Sequence, residues 1–256
     1  MKMFADDTKI YKVVKSFIQE CISLQEDLDA LSSWASTWQM CFHPDKCVVM
    51  RFGKNPPDYE YTMKDVHSVR HPLRFVEEEK DLGVVVDNQL TFSKQVIQQT
   101  AKANKILALI RRSFHYLPME MLVKMYKSLV RPYLDYAISV WHPITKAKAD
   151  ELEKVQRRAT KMIRGLKDLE YEERLEKLKL HSLVYRRLRG DLIIVYKYKT
   201  GMIKCSDVDS LFPPSRSSNL RGHSFKVRKE RSQHKVRFNF FSQRVVNWWN
   251  DLPPSG

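Results

Sequence analysis

The 256-residue sequence predicts an α+β layer, a small antiparallel sheet with one helix, followed by a mostly α-helical remainder. Three observations predict it. Up to residue 92, short β-prone runs bracket a single stretch of helical period. From Ser93 onward, apolar residues recur at three- and four-residue spacings almost throughout. Glycine is scarce, 7 in 256, which favours helices over a turn-rich β fold. The chain is long enough for one large domain or two smaller ones, with a sizeable core. A hydrophobic fraction of 43% with 12 Phe, 11 Tyr and 5 Trp excludes wholesale disorder.

The chain opens with "FADDTKIY" (4–11), a paired carboxylate between an apolar stub and a β-prone run. Residues 16–38 follow as a helix, because Leu24, Leu28, Leu31, Ala35 and Trp38 make one stripe. "CFHPDKCVVMRFG" is turn chemistry at His43–Lys46, then a strand from Val48 to Phe52 closed by Gly53. One or two strands are expected over 59–76, and "KDLGVVVD" (80–87) reads as a strand with Gly83 at its mouth. Beyond lie a helix over 94–114, one from Pro118 that Pro132 breaks or kinks, and one over 147–164 ended by Gly165. Two more are expected over 171–180 and 182–200. Residues 210–237 read as a polar, basic, mobile segment before a last apolar patch around Trp248 and Trp249. That patch suits core packing or base stacking. The expected divisions are 1–92, 93–209 and 210–256.

Charge is the strongest global signal. Forty-five Lys and Arg against 30 Asp and Glu give +15, an excess that attracts polyanions. Nucleic acid is the first candidate and an anionic membrane surface the second. The basic residues lie within helical patterns rather than in a juxtamembrane cluster. No apolar run approaches the ~18 residues that span a bilayer. Four cysteines without CxxC spacing read as reduced thiols, and Cys41, Cys47 and His43 fit no common zinc spacing. A cytoplasmic or nuclear location is expected.

On the 94–114 helix, Lys94, Lys102, Lys105 and Arg112 fall within about 80° of one another, opposite the apolar stripe. On the 147–164 helix, Lys154, Arg157, Arg158, Lys161 and Arg164 line one side, opposite Leu152, Val155, Ala159 and Met162. Packed side by side, the two would make a continuous positive wall. Each face taken alone reads first as an ordinary solvated exterior. The segment 221–237 adds seven Lys or Arg against one Glu. Together these favour a surface that tracks phosphates by counterion release. Asp6 and Asp7 alone read as a turn or as ligands for Mg²⁺, which takes one or two carboxylates plus substrate phosphates.

An aromatic-Ala-Asp-Asp hairpin, a helix, "FHPDKC" with a strand, then "DLGVVVD" resembles the palm of a reverse transcriptase. More closely it resembles that of non-LTR retrotransposons of the jockey and chicken-repeat type. The resemblance continues through "WASTWQMCFHPDKCVVMRFG", "LTFSKQVIQQTAKANKILALIRRSF", "YKSLVRPYLDYAISVWHP", "LEKVQRRATKMIRGL" and "FFSQRVVNWWNDLP". It implies the C-terminal portion of an RNA-directed DNA polymerase. The α+β part would be a partial palm, and the helices a thumb with a C-terminal extension.

Asp6 and Asp7 would hold Mg²⁺, with Asp6 the more important ligand. Lys46 would protonate the leaving pyrophosphate, and Leu82 and Gly83 would lie in the primer grip. The implied partners are an RNA template, a DNA primer and deoxynucleotides. Such an enzyme carries fingers and a further palm carboxylate before the Asp-Asp hairpin. The segment in hand is therefore expected to extend no primer alone. A non-catalytic nucleic-acid-binding thumb module and an inert truncated remnant are the alternatives.

Overall fold

The computed structural model describes residues 1–5, 7–15, 18–114, 116–205, 207–215 and 222–253, so Asp6 lies outside the described residues. The chain divides into two compact units. One is Met1–Asp81 with Val86–Gln89, and the other is Leu82–Val85 with Leu90–Gly256.

In the first unit, β1 (Lys2–Phe4) and β2 (Asp7–Lys9) pair antiparallel, with Phe4 opposite Asp7 and Ala5 at φ 51° in the turn. Helix α1 (Ile18–Thr37) follows. Its apolar stripe is the expected one as far as Ala35. Trp38 lies past the helix end and is 66% exposed, so it leaves the stripe.

Four short strands come next: β3 (Val48–Val49), β4 (Thr62–Lys64), β5 (Arg70–Pro72) and β6 (Arg74–Phe75). β3 pairs parallel with β6, and β4 antiparallel with β5. Cys21 of α1 packs with Tyr61, Met63 and Leu73 to form the core of this unit. The Gln25 side chain locks the helix to β4 by exchanging two hydrogen bonds with Thr62. Its Nε2 donates to the Thr62 carbonyl at 2.9 Å, and its Oε1 accepts from the Thr62 amide at 2.9 Å. An amide used this way replaces a missing strand neighbour.

The strand expected over Val48–Phe52 is only two residues long. Arg51 instead turns to Asp58 at 3.1 Å, to the Tyr59 carbonyl at 3.0 Å and over the Phe75 ring at 3.6 Å. A hairpin of β7 (Glu78–Asp81) and β8 (Val84–Asp87) follows, so "KDLGVVVD" is two strands around a turn rather than one.

The second unit is helical. Helix α2 (Ser93–Ser113) buries Val96, Ala103, Leu107 and Ile110. Helix α3 (Met119–Met125) runs through a π-turn, Tyr126–Val130, into α4 (Arg131–Asp135). Pro132 supplies no N–H and its ring crowds the preceding turn, so the helix widens just before it rather than breaking. Helices α5 (Lys146–Lys161), α6 (Tyr171–Lys177) and α7 (Leu183–Lys199) complete the bundle. Trp141, Leu134, Leu152, Val155 and Leu183 are fully buried at its centre.

Short helices α8 (Val208–Leu211), α9 (Lys235–Asn239), α10 (Phe241–Arg244) and α11 (Val246–Asn250) close the chain. Part of the stretch expected to be mobile is core. Phe212 and Val227 are buried with Val195, Val245, Val246 and Trp249. Val227 is clasped by Asn250 as Thr62 is by Gln25, its amide donating at 3.0 Å and its carbonyl accepting at 2.8 Å. Trp249 is core and its indole N–H donates to the Phe225 carbonyl at 2.8 Å, whereas Trp248 is 57% exposed.

Buried polar groups fix the bundle. Glu153 is 5% exposed on α5, accepts from the Tyr171 hydroxyl, and takes the Leu183 amide on both oxygens at 3.0 and 3.2 Å. A carboxylate there satisfies an otherwise orphaned donor at the start of α7. Gln156 links the Tyr126 hydroxyl (2.6 Å), the Tyr171 hydroxyl (2.8 Å) and the His181 carbonyl (3.0 Å). Burial pushes the pKa of both tyrosines up, so each hydroxyl stays protonated and remains a donor.

His142 is largely buried near Arg244 and Arg187, and burial followed by those cations pushes its pKa down to about 4. The folded state then binds fewer protons than the unfolded one between pH 6.5 and pH 4, so stability falls as pH drops through that window. Burial raises the pKa of Asp191, which opposes part of the loss. We expect a decline on the order of 2 kcal/mol between about pH 7 and about pH 4. Urea midpoints across that range should show it, and His142→Leu should flatten the profile.

Candidate nucleic-acid interface

Helix α2 contains no acidic residue, and its last turn carries Arg111 and Arg112. Helix α5 ends on Arg158 and Lys161, and the chain continues through Arg164 and Lys167. The apolar faces of α2 and α5 pack together, which brings these ends side by side. Between them lies an open groove of about 950 Å³. Arg111, Arg112, Arg158, Lys161, Arg164 and Lys167 line it, with no carboxylate among the lining residues. Its floor is Leu107, Ala108, Leu122 and Met162, and Phe114 and Tyr116 stand at the rim.

Arg158 donates to Asn104 of α2 at 2.9 Å, and the Arg164 guanidinium lies 5.6 Å over the Tyr116 ring. Exposed cations over a low-dielectric floor focus a positive potential into the groove. Aromatic rings beside them add faces on which bases stack.

The sequence-predicted cations divide. Arg112, Arg158, Lys161 and Arg164 converge on the groove. Lys94, Lys102, Lys105 and Lys154 are exposed on the two helices without lining it. Arg157 borders a neighbouring hollow and lies 4.9 Å over the Tyr171 ring. The wheel missed Arg111, which flanks the chosen stripe, and Lys167, which follows the Gly165 turn at φ +75°. An inventory of both signs around each helix end, rather than of one stripe, would have found both.

Leu82 and Gly83 are the centre of the β7–β8 turn, at φ 44° and 84°. Positive φ at both central positions suits the right-handed twist of a hairpin, but it is strained for a leucine. The turn is held by the Tyr136 hydroxyl, which donates to the Leu82 carbonyl at 2.8 Å. A Cβ on Gly83 would meet Tyr136 Cε1 at 3.5 Å, an ordinary contact, so only the backbone demands glycine. Gly83→Ala is expected to cost about 1–2 kcal/mol, measurable as a shift in urea midpoint. Tyr136→Phe should cost about 1 kcal/mol by the same measure.

Asp7 is exposed at the head of β2, and Lys46 is exposed in the one-turn 3₁₀ helix Pro44–Lys46. Asp6, the second carboxylate of the pair, lies outside the described residues. Among the described residues, no group of three or more His, Cys, Asp or Glu gathers to hold a metal ion. No helix among them is long and apolar enough to cross a membrane.

Against known proteins, the sequence is 27% identical over 188 residues to the RNA-directed DNA polymerase from mobile element jockey of Drosophila melanogaster. That match covers 68% of this chain and 20% of the polymerase. The corresponding polymerase of Drosophila funebris is 27% identical over 169 residues, 63% of this chain and 18% of its own length. By sequence the chain is similar to the jockey polymerases. These two matches support the resemblance to jockey-type reverse transcriptases as a whole. The chain spans about a fifth of the length of those jockey proteins. No family model and no solved structure matches it.

Proposed function

We propose that the chain is the duplex-holding portion of a jockey-type RNA-directed DNA polymerase, gripping template and primer in the groove between α2 and α5. The observation that carries this reading is the convergence of six cations, with no carboxylate, on one groove at the packed ends of two helices. The similarity to jockey polymerases supplies the class of polyanion, an RNA template paired with a DNA primer. In this reading α2 to α7 act as the thumb, and the N-terminal strands with α1 act as part of the palm. Leu82 and Gly83 are the proposed primer grip, where a tight turn with a fixed carbonyl brings backbone close to a strand.

Asp6 and Asp7 are the proposed Mg²⁺ ligands. Asp7 is a hard, exposed oxygen donor, the type that Mg²⁺ takes alongside substrate phosphates. The ion would neutralise charge on the incoming nucleotide. Lys46, an exposed ammonium in a rigid turn, is the proposed donor to the departing pyrophosphate. Catalysis by the polymerase also requires the nucleotide to be positioned.

The deciding experiment is binding of an RNA–DNA hybrid duplex across a salt series. The logarithm of the affinity should fall steeply and linearly with the logarithm of salt, with a slope of about −4 to −6 for a groove of six cations. A flat salt response would overturn the groove reading.

A further inference from the structure

Next to the groove, α6 borders a second hollow of about 440 Å³ lined by Arg157, Lys161, Lys167, Tyr171 and Arg174. Asp168, Leu169, Glu170 and Glu172 complete its lining, so four cations face three carboxylates. Arg174 is the unusual member. It is only 2% exposed, and its Nε and Nη1 are buried without a hydrogen-bond partner. The guanidinium lies 5.6 Å from the Tyr171 ring centre, and a ring face supplies no acceptor for in-plane N–H groups. Arginine cannot discard its proton, so a buried guanidinium with free donors calls for an oxygen ligand. A tetrahedral oxyanion presents several oxygens to a planar fork and suits it best.

We propose that this hollow is a binding site for a phosphate-class oxyanion, with Arg174 as its floor and Arg157, Lys161 and Lys167 as its rim. The acidic residues on the rim limit the occupant to a single phosphoryl group by repelling a larger polyanionic cluster. Lys161 and Lys167 line both the hollow and the groove. A strand lying in the groove would thus be able to place one backbone phosphate in the hollow. That source rests on the duplex-holding reading, whereas a free phosphate does not need it.

The test uses the full ¹⁵N-labelled chain and follows the Arg174 Nε–H resonance, assigned by its loss in Arg174→Lys. Inorganic phosphate is titrated against chloride at matched ionic strength. A saturable shift with phosphate is expected, weakened about tenfold or more when Arg157→Ala and Lys167→Ala are combined. Both replaced residues are exposed, so the fold is kept. No saturable shift, or the same shift with chloride, would overturn the site and leave Arg174 to water.

A second arm adds the RNA–DNA hybrid. A hybrid that moves the Arg174 resonance and competes with phosphate identifies the strand as the source. A hybrid that binds without moving it identifies free phosphate. A hybrid that fails to bind removes the groove reading and leaves the phosphate result standing.

Discussion

Arg244→Met is expected to destabilise the helical unit by about 3–5 kcal/mol, the largest loss from any single surface-independent change here. Arg244 on α10 forks onto Asp191 of α7, with Nε at 2.9 Å from Oδ2 and Nη2 at 3.1 Å from Oδ1. Nη2 also reaches the Ile138 and Ser139 carbonyls at 3.2 and 3.1 Å, and Nη1 donates to the Asn239 carbonyl at 3.1 Å. Asp191 is 3% exposed, and burial already raises its pKa against the pull of Arg244. Without the guanidinium, that carboxylate must ionise in a dry site with the Arg187 charge but no hydrogen-bonded cation beside it, or take up a proton.

Three carbonyls would lose their donor at the same time. Because these bonds tie the last helices to the bundle, amide exchange should speed up over 241–250 in the variant. Arg244→Lys should recover little, since an ammonium cannot span both carboxylate oxygens and the carbonyls. A loss below about 1 kcal/mol in a denaturant melt would show that water reaches Asp191.

The long helices were legible because burial imposes a 3.6-residue period on Leu24–Ala35, Val96–Ile110 and Leu152–Ala159, and that period survives in the sequence. What escaped reading follows from a different kind of force. The Leu82–Gly83 turn was hidden because leucine gives no signal for positive φ, and its carbonyl is held by a tyrosine 54 residues away. Val227 was hidden between Lys226 and Arg228, and Phe212 beside Pro213 and Pro214 in a stretch that reads as loop, although both side chains enter the core.

Glu153 and Arg174 escaped for a related reason. A charged residue on a helical wheel is counted as outside, yet both are nearly fully buried and paired or poised by groups distant in sequence. The groove was half legible. Its cations could be counted, but which of them share a space depends on how α2 and α5 cross, and packing decides that.

Arg111→Gln, Arg112→Gln and Arg158→Gln together should weaken binding of the RNA–DNA hybrid by roughly 10- to 100-fold at moderate salt. They should also reduce the magnitude of the salt slope by about three, one for each phosphate contact removed. All three side chains are exposed and line the groove but not the neighbouring hollow, so any oxyanion bound there is left untouched. Arg158 gives up one surface hydrogen bond to Asn104, which costs at most about 1 kcal/mol of stability. Neutral glutamines preserve helix propensity, so a loss of affinity cannot be charged to unfolding.

The same triple change made at Lys94, Lys102 and Lys105 removes equal charge from α2 outside the groove lining. If net charge alone attracts the duplex, both triples weaken binding alike. If the groove holds the strand, only the first triple lowers the slope by about three, while the second acts mainly through the screened long-range field.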